Sequence, residues 1–154
     1  MPNRKMVKQM KLSMTTALNL AQGLAFLDGY ERVYKDGQGI ERMARSGYTF
    51  SAKIKLIIAL NRKRLRDVVD IFSTQRTALF TALSEGNESL EDKAKIETFK
   101  KQEKELLDHE EDVQLTMIGV DDLRLDDENN RNISPGVLVL LAPILTGFDD
   151  TPTS

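Results

Sequence analysis

A chain of 154 residues with 40% apolar and 30% charged side chains, and with neither cysteine nor tryptophan, has the length of one domain and an ordinary globular composition. The lack of cysteine excludes disulfides, thiolate catalysis and every cysteine-ligated metal site, and fits a reducing compartment, so a cytoplasmic setting is expected. The formal net charge of −2 conceals blocks: residues 1–11 carry four basic residues and no acid, and residues 53–83 carry seven basic against two acidic. Residues 91–112 then carry nine acidic against five basic, and residues 113–154 seven acidic against two basic.

The first acidic residue is Asp28, which gives the N-terminus a superficial likeness to an organelle transit peptide. Asn19 and Gln22 interrupt any secretory apolar region, and no run approaches the roughly 18 to 20 apolar residues of a membrane span. Pro2 rules out N-myristoylation and the terminal DDTPTS has no prenylation cysteine. The expectation is a soluble, unanchored protein with no membrane partner. It forms a single domain over residues 1–154, in which residues 1–11 are a basic extension and 147–154 a flexible tail.

In chain order, a helix is expected from Ser13 or Thr15, whose hydroxyl can cap free N–H groups, to about Leu27, with Ala17, Leu20, Ala21, Leu24 and Leu27 on one face. DGYERVYKDGQG marks turns, and GIERMARSGY from Gly39 to Tyr48 is read as another helical turn. The strongest helix signal runs from about Ser51 to Leu83. There Ile54, Ile58, Asn61, Leu65, Val68, Phe72, Gln75, Leu79 and Ala82 alternate spacings of four and three, and Gly86 and Asn87 end the run. Ile54, Leu56, Ile57, Ile58 and Leu60 are apolar on nearly every side, so this front half should be central to the core or to an oligomer. A third helix from about Leu90 to Glu110 carries Ile96, Phe99, Leu106 and Leu107. A short link and opposite charge predict that it pairs with the second as an antiparallel hairpin.

From Val113 to Met117 apolar and polar residues alternate, as in a half-buried strand. That strand needs a partner: an extended segment such as Met10 to Ser13, or GYTF at 47–50, or an edge from another molecule. Beyond the acidic loop DDLRLDDENNRN, Ser134 and Pro135 open a short apolar helix that ends at Pro143. The expected fold is therefore mainly α: a long antiparallel helical hairpin, an N-terminal helix across it, a small β element and a short C-terminal helix.

Chemistry is thinly represented. With Leu65 at the centre of the core face, Arg62 lies near 60°, Lys63 near 160°, Arg64 near −100° and Arg66 near 100° at about 100° per residue. A phosphate-tracking surface gathers its cations on one face and interleaves aromatic rings, and this stretch does neither. The expected role is a girdle that ion-pairs with acidic neighbours such as the third helix. The alternative is a nucleic-acid site of Lys53, Lys55, Arg62, Lys63, Arg64 and Arg66. Asn61 and Arg76 interrupt the apolar stripe, as a register-setting polar pair, as an arginine whose stem packs while its head snorkels out, or as the mark of a face that meets another chain. His109 is the single histidine, which excludes two-histidine metal motifs and reads as solvated. The acidic residues Asp121, Asp122, Asp126, Asp127 and Glu128 lack the ligand spacing of a calcium loop, and Gly37-Gln38-Gly39 lacks a dinucleotide fingerprint. No cofactor, metal or enzymatic activity is expected.

The succession YTFSAKIKLIIALNRKRLRDVVDIF, ELLDHEEDVQLTMIGVDDL and ISPGVLVLLAPIL resembles a family of small phage-encoded, mainly helical proteins of unknown function, over about residues 10–146. MPNRKMVKQ and GYERVYKDGQGIERMARSG are additions to that pattern. The resemblance implies a phage origin and no particular mechanism. The function expected is non-enzymatic protein binding, as an accessory or virion-assembly component or, alternatively, as an inhibitor of a host or defence protein. The partner would be a second copy, a virion protein or a host protein, in the host cytoplasm or the virion. The residues expected to meet it are Asn61, Phe72 and Arg76 on the helical seam, Val113, Leu115 and Met117 on the strand, and Val137, Leu138 and Leu141 on the last helix.

Overall fold

The computed structural model describes residues 7–147, with side chains for all of these except residues 30–32 and 44–46. The expected tail beyond residue 147 and the first six residues of the basic extension lie outside the described residues.

The chain opens with β1 (Val7–Ser13) and turns directly into α1 (Met14–Leu27). Ser13 makes the junction, ending the strand while its hydroxyl caps the helix by accepting from the Thr16 N–H. Residues 7–11 of the expected basic extension thus belong to a strand. A hairpin of β2 (Tyr30–Lys35) and β3 (Glu41–Ser46) follows. The helical turn expected between Gly39 and Tyr48 is not formed. Ile40 and Met43 are three apart, as a helix would have them, but Gly39 takes a positive φ of 79° that closes a hairpin loop instead.

α2 (Ala52–Ser84) is 33 residues long, roughly 50 Å at 1.5 Å per residue. Ser51 caps it through the Ile54 N–H, and Glu85 and Gly86 end it in left-handed conformations. Its buried stripe is Ile54, Ile57, Ile58, Asn61, Leu65 and Phe72. Leu56 and Leu60 are exposed, so within the single chain the front half presents only one side to the core, and of the two expected settings the core accounts for that side alone. α3 (Lys93–Asp108), capped by Asp92, lies against α2 through the Phe80–Phe99 edge-to-face pair and the Arg76–Glu103 ion pair.

β4 (Glu110–Thr116) pairs antiparallel with β1, setting Val7 opposite Thr116 and Ser13 opposite Glu110. Of the three candidate partners for the alternating segment, Met10 to Ser13 is the one used. GYTF is held elsewhere: the buried side chain of Asn130 accepts from the Thr49 N–H and donates to the carbonyls of Thr49, Leu123 and Arg124. β5 (Ile118–Gly119) forms a two-residue parallel bridge with β6 (Leu145–Thr146). Between them lies α4 (Pro135–Leu141), with Ser134 as cap and Pro135 in its first turn, continued by a 3-10 turn to Ile144.

The molecule is mainly α, with its core where α1, α2, α4 and β4 meet. Leu20, Leu24, Leu65, Leu115, Ile118, Leu123, Leu141 and Ile144 are fully buried there. α1 and α4 cross at Gly23, where a Cβ would stand 2.9 Å from the Leu141 side chain, so that crossing requires glycine.

Candidate interaction surface

The residues expected to meet a partner are mostly inside the molecule. Asn61 is fully buried. Met14 donates to the His109 carbonyl, and the alternation of an antiparallel ladder then turns the backbone N–H and C=O of Thr116 away from β1. The Asn61 side chain meets both: its Oδ1 accepts from the Thr116 N–H at 2.9 Å and its Nδ2 donates to the Thr116 carbonyl at 2.8 Å. One carboxamide thus does for Thr116 what a neighbouring strand would do. Polar character at this position satisfies β4 and does not mark a face open to another chain.

Phe72, Val113, Leu115 and Met117 are buried because the sheet of β1 and β4 lays one face on α1 and α2. Leu141 is fully buried beneath Gly23, and Val137 and Leu138 are half-buried against the same core. Of the nine, only Arg76 is exposed. Its guanidinium stands over the Phe99 ring, 5.2 Å from the centroid, and pairs with Glu103. Within the single chain, the buried and half-buried members of this set pack in the fold.

The basic stretch is divided in two. Arg62 pairs with Asp28 at the end of α1, and Arg64 donates to the Thr116 hydroxyl, so the girdle is tied to α1 and β4 and not, at these residues, to α3. Lys53, Lys55, Lys63 and Arg66 are exposed. At about 100° per residue, Lys53 lies on the opposite flank from Lys55 and Arg66. His109 is exposed at the end of α3, its Nε2 2.8 Å from Glu111. The open groove beside it is lined by Gln75, Ala78, Leu79, Gln102, Glu105 and Leu106.

The feature that the sequence did not announce is the β2–β3 hairpin. Among the described residues, its pairing is with itself, and no other element shares three or more close backbone approaches with it. Its ladder sets Val33 opposite Met43, and these are 61% and 66% exposed. Tyr34 and Ile40 are exposed as well. The loop is built from its own polar groups. The Asp36 carboxylate accepts from the N–H groups of Gln38 and Ile40 and from Arg42 Nε, which, foremost through Arg42, holds that carboxyl below its ordinary pKa. A defined turn thus carries an exposed apolar rung of Val33 and Met43. Other exposed apolar residues, Leu56, Leu60 and Ile71, stand along α2 on the side that bears Lys63 and Asp67, as scattered surface residues commonly do.

No protein-family model, curated protein or solved structure matches this chain. Among the described residues, no group of three or more His, Asp or Glu is placed to hold a metal ion, and no helix is long and apolar enough to cross a membrane.

Proposed function

We propose that the protein is a non-enzymatic, protein-binding component whose contact element is the β2–β3 arm. The observation that carries this reading is the exposed Val33–Met43 rung, with Tyr34 and Ile40 exposed beside it among the described residues of the hairpin. A two-stranded hairpin alone is marginal in water, and apolar side chains held out on one are stabilised by packing on a second surface. The helical body is then the scaffold, with α2 and α3 as a long antiparallel hairpin that braces it and α1 packed across. The likeness of residues 10–146 to small phage-encoded proteins favours an accessory or virion-assembly role in the host cytoplasm or the virion. Inhibition of a host or defence protein is the second reading.

The test uses the full tagged chain and a Val33→Lys, Met43→Lys variant as baits in host lysate, with and without nuclease, and identifies bound proteins by mass spectrometry. The expected result is a stoichiometric protein partner that resists nuclease and is lost with the variant. Equal capture by both baits, or bound material that vanishes with nuclease, would overturn the proposal.

A further inference from the structure

We infer that the outer edge of β1 is a site of strand addition, and that its occupant is an extended acidic segment of another protein. This surface lies on the body and does not depend on the arm. β1 and β4 form a sheet of two strands, so each keeps one outer edge. The bond from Met14 to the His109 carbonyl, which turns Thr116 outward on β4, fixes the alternation on β1 as well. The N–H and C=O groups of Val7, Gln9 and Lys11 point away from β4. On β4 the Asn61 carboxamide fills the Thr116 position. On β1 no hydrogen bond from another described residue reaches the outward groups, and Val7, Gln9 and Lys11 are exposed. Donors and acceptors thus alternate along about 14 Å, at the repeat of an extended backbone.

The side chains beside this row select the partner's charge. Lys8 and Lys11 lie on opposite faces of β1, neither enters an ion pair with a described residue, and the strand carries no acid. Two β1 edges placed together would gather Lys8 and Lys11 of both copies on adjoining strands. Edge lysines are a means by which sheets resist self-pairing, so a second copy is disfavoured. Carboxylates on an added strand opposite Lys8 and Lys11 make favourable cross-strand pairs instead. The acids of β4 oppose this less. Glu110 and Glu111 face Ser13 and Leu12, and β4 lies about 10 Å from an added strand, beyond the screening length of about 8 Å at physiological salt. A nucleic acid fits less well, because phosphate oxygens only accept, whereas the outward carbonyls need donors.

At the Val7 end a groove of about 360 Å³ is walled by Val7, Ile54, Leu56 and Ile57, with Lys53 and Asp122 at its rim. Opposed residues on neighbouring strands share a face, so the residue paired with Val7 projects on the side of this groove. One cation and one anion leave the rim near neutral, and the subsite takes an apolar side chain. For antiparallel addition, the commoner pairing, the occupant has an acid opposite Lys11, a second acid three residues on opposite Lys8, and an apolar residue next, opposite Val7.

The probe is a terminally blocked peptide of about seven residues with that pattern and β-branched residues between, titrated into the isotope-labelled full chain. Saturable shifts centred on the Gln9 and Lys11 amides are expected, with slower hydrogen exchange there. Gln9→Pro removes an outward donor that takes no part in the β4 pairing, and should weaken binding about tenfold. Lys8→Glu with Lys11→Glu should reject the acidic peptide and accept its lysine counterpart, which also shows that the variant is folded. Methylating the peptide nitrogens that face β1 should abolish binding to the parent. Val33→Lys with Met43→Lys should bind the peptide as the parent does, so that this inference and the arm proposal fail separately.

No saturation up to about 5 mM peptide, or equal binding of the acidic and lysine peptides by the parent, would overturn the inference. So would binding that ignores both nitrogen methylation and Gln9→Pro, since charge alone would then suffice. A single-stranded oligonucleotide that displaces the peptide and is indifferent to Gln9→Pro would overturn it in favour of nucleic acid. Self-association in sedimentation that Gln9→Pro abolishes would overturn it in favour of a second copy.

Discussion

Asn61 supplies both hydrogen bonds that Thr116 would otherwise seek from another strand, so its truncation leaves a buried donor and acceptor without partners. Asn61→Ala should cost about 2–4 kcal/mol, from lost pairing plus a small cavity, read as a lower urea midpoint at an unchanged slope. A loss below about 0.5 kcal/mol would show that the pairing contributes little. At the α1–α4 crossing, Gly23→Ala puts a methyl against Leu141 and should destabilise by about 1–3 kcal/mol. Leu141→Ala opens room there, so the double variant should be less damaged than the two single losses added together, the coupling expected of neighbours. Additive losses would mean that the helices shift apart to make room. Asp36 is the residue at which acid should act first on the arm. Its folded pKa lies below the ordinary 3.8, chiefly because of Arg42, so the ionised carboxylate favours the ordered loop above that value. The preference is lost as pH falls through the folded pKa, and the amide resonances of Gln38 and Ile40 should move together below pH 3.8, with little change between pH 5 and pH 8.

Among the elements, the arm and the body are separable in a way that can be measured. The described residues of β2 and β3 contribute nothing to the buried core, so replacing residues 33–43 with a short Gly/Ser link should leave the body's unfolding free energy within about 1 kcal/mol of the parent. A larger loss, with collapse of the helical signal, would show that the arm supports the body. The same separation explains what the sequence could and could not reveal. α1 and α2 were legible because each has a serine cap and an apolar stripe at helical spacing, and β4 because one of its faces is buried and therefore alternates. In residues 33–43 of the hairpin, Val33 and Tyr34 are both exposed although they point to opposite faces, so no buried face writes a period of two there, and Ile40 with Met43 imitates a helical spacing. The environment of Asn61 was hidden for a related reason. Asn61 looked like a break in the seam because its partner, the Thr116 backbone, comes from a strand whose position the helical wheel does not contain.

At the scale of the whole molecule, the charge blocks are partly spent on internal contacts: Arg62 on Asp28, Arg76 on Glu103, and Lys95 near Glu85 at 3.7 Å. Such exposed pairs are worth about 0–1 kcal/mol each, so the dipolar charge pattern orients elements more than it stabilises them. Lys53, Lys55, Lys63 and Arg66 remain in solvent on different flanks of α2. Charge reversal at Lys63 and Arg66 should leave any binding to DNA or RNA as weak as it is in the parent at about 50 mM salt. A steep loss there, with a strong salt slope, would restore the basic helix as a nucleic-acid site. The β1–β4 pairing has a consequence of another kind. Val7 takes Thr116 as its partner across about a hundred intervening residues, and Asn61 can seat itself only on the strand so formed. On a ribosome adding about 5–20 residues per second, β1 waits several seconds for its complement while α1, the arm and α2 are already outside. The first strand made is thus among the last to be secured, and during that interval its backbone is open to other chains.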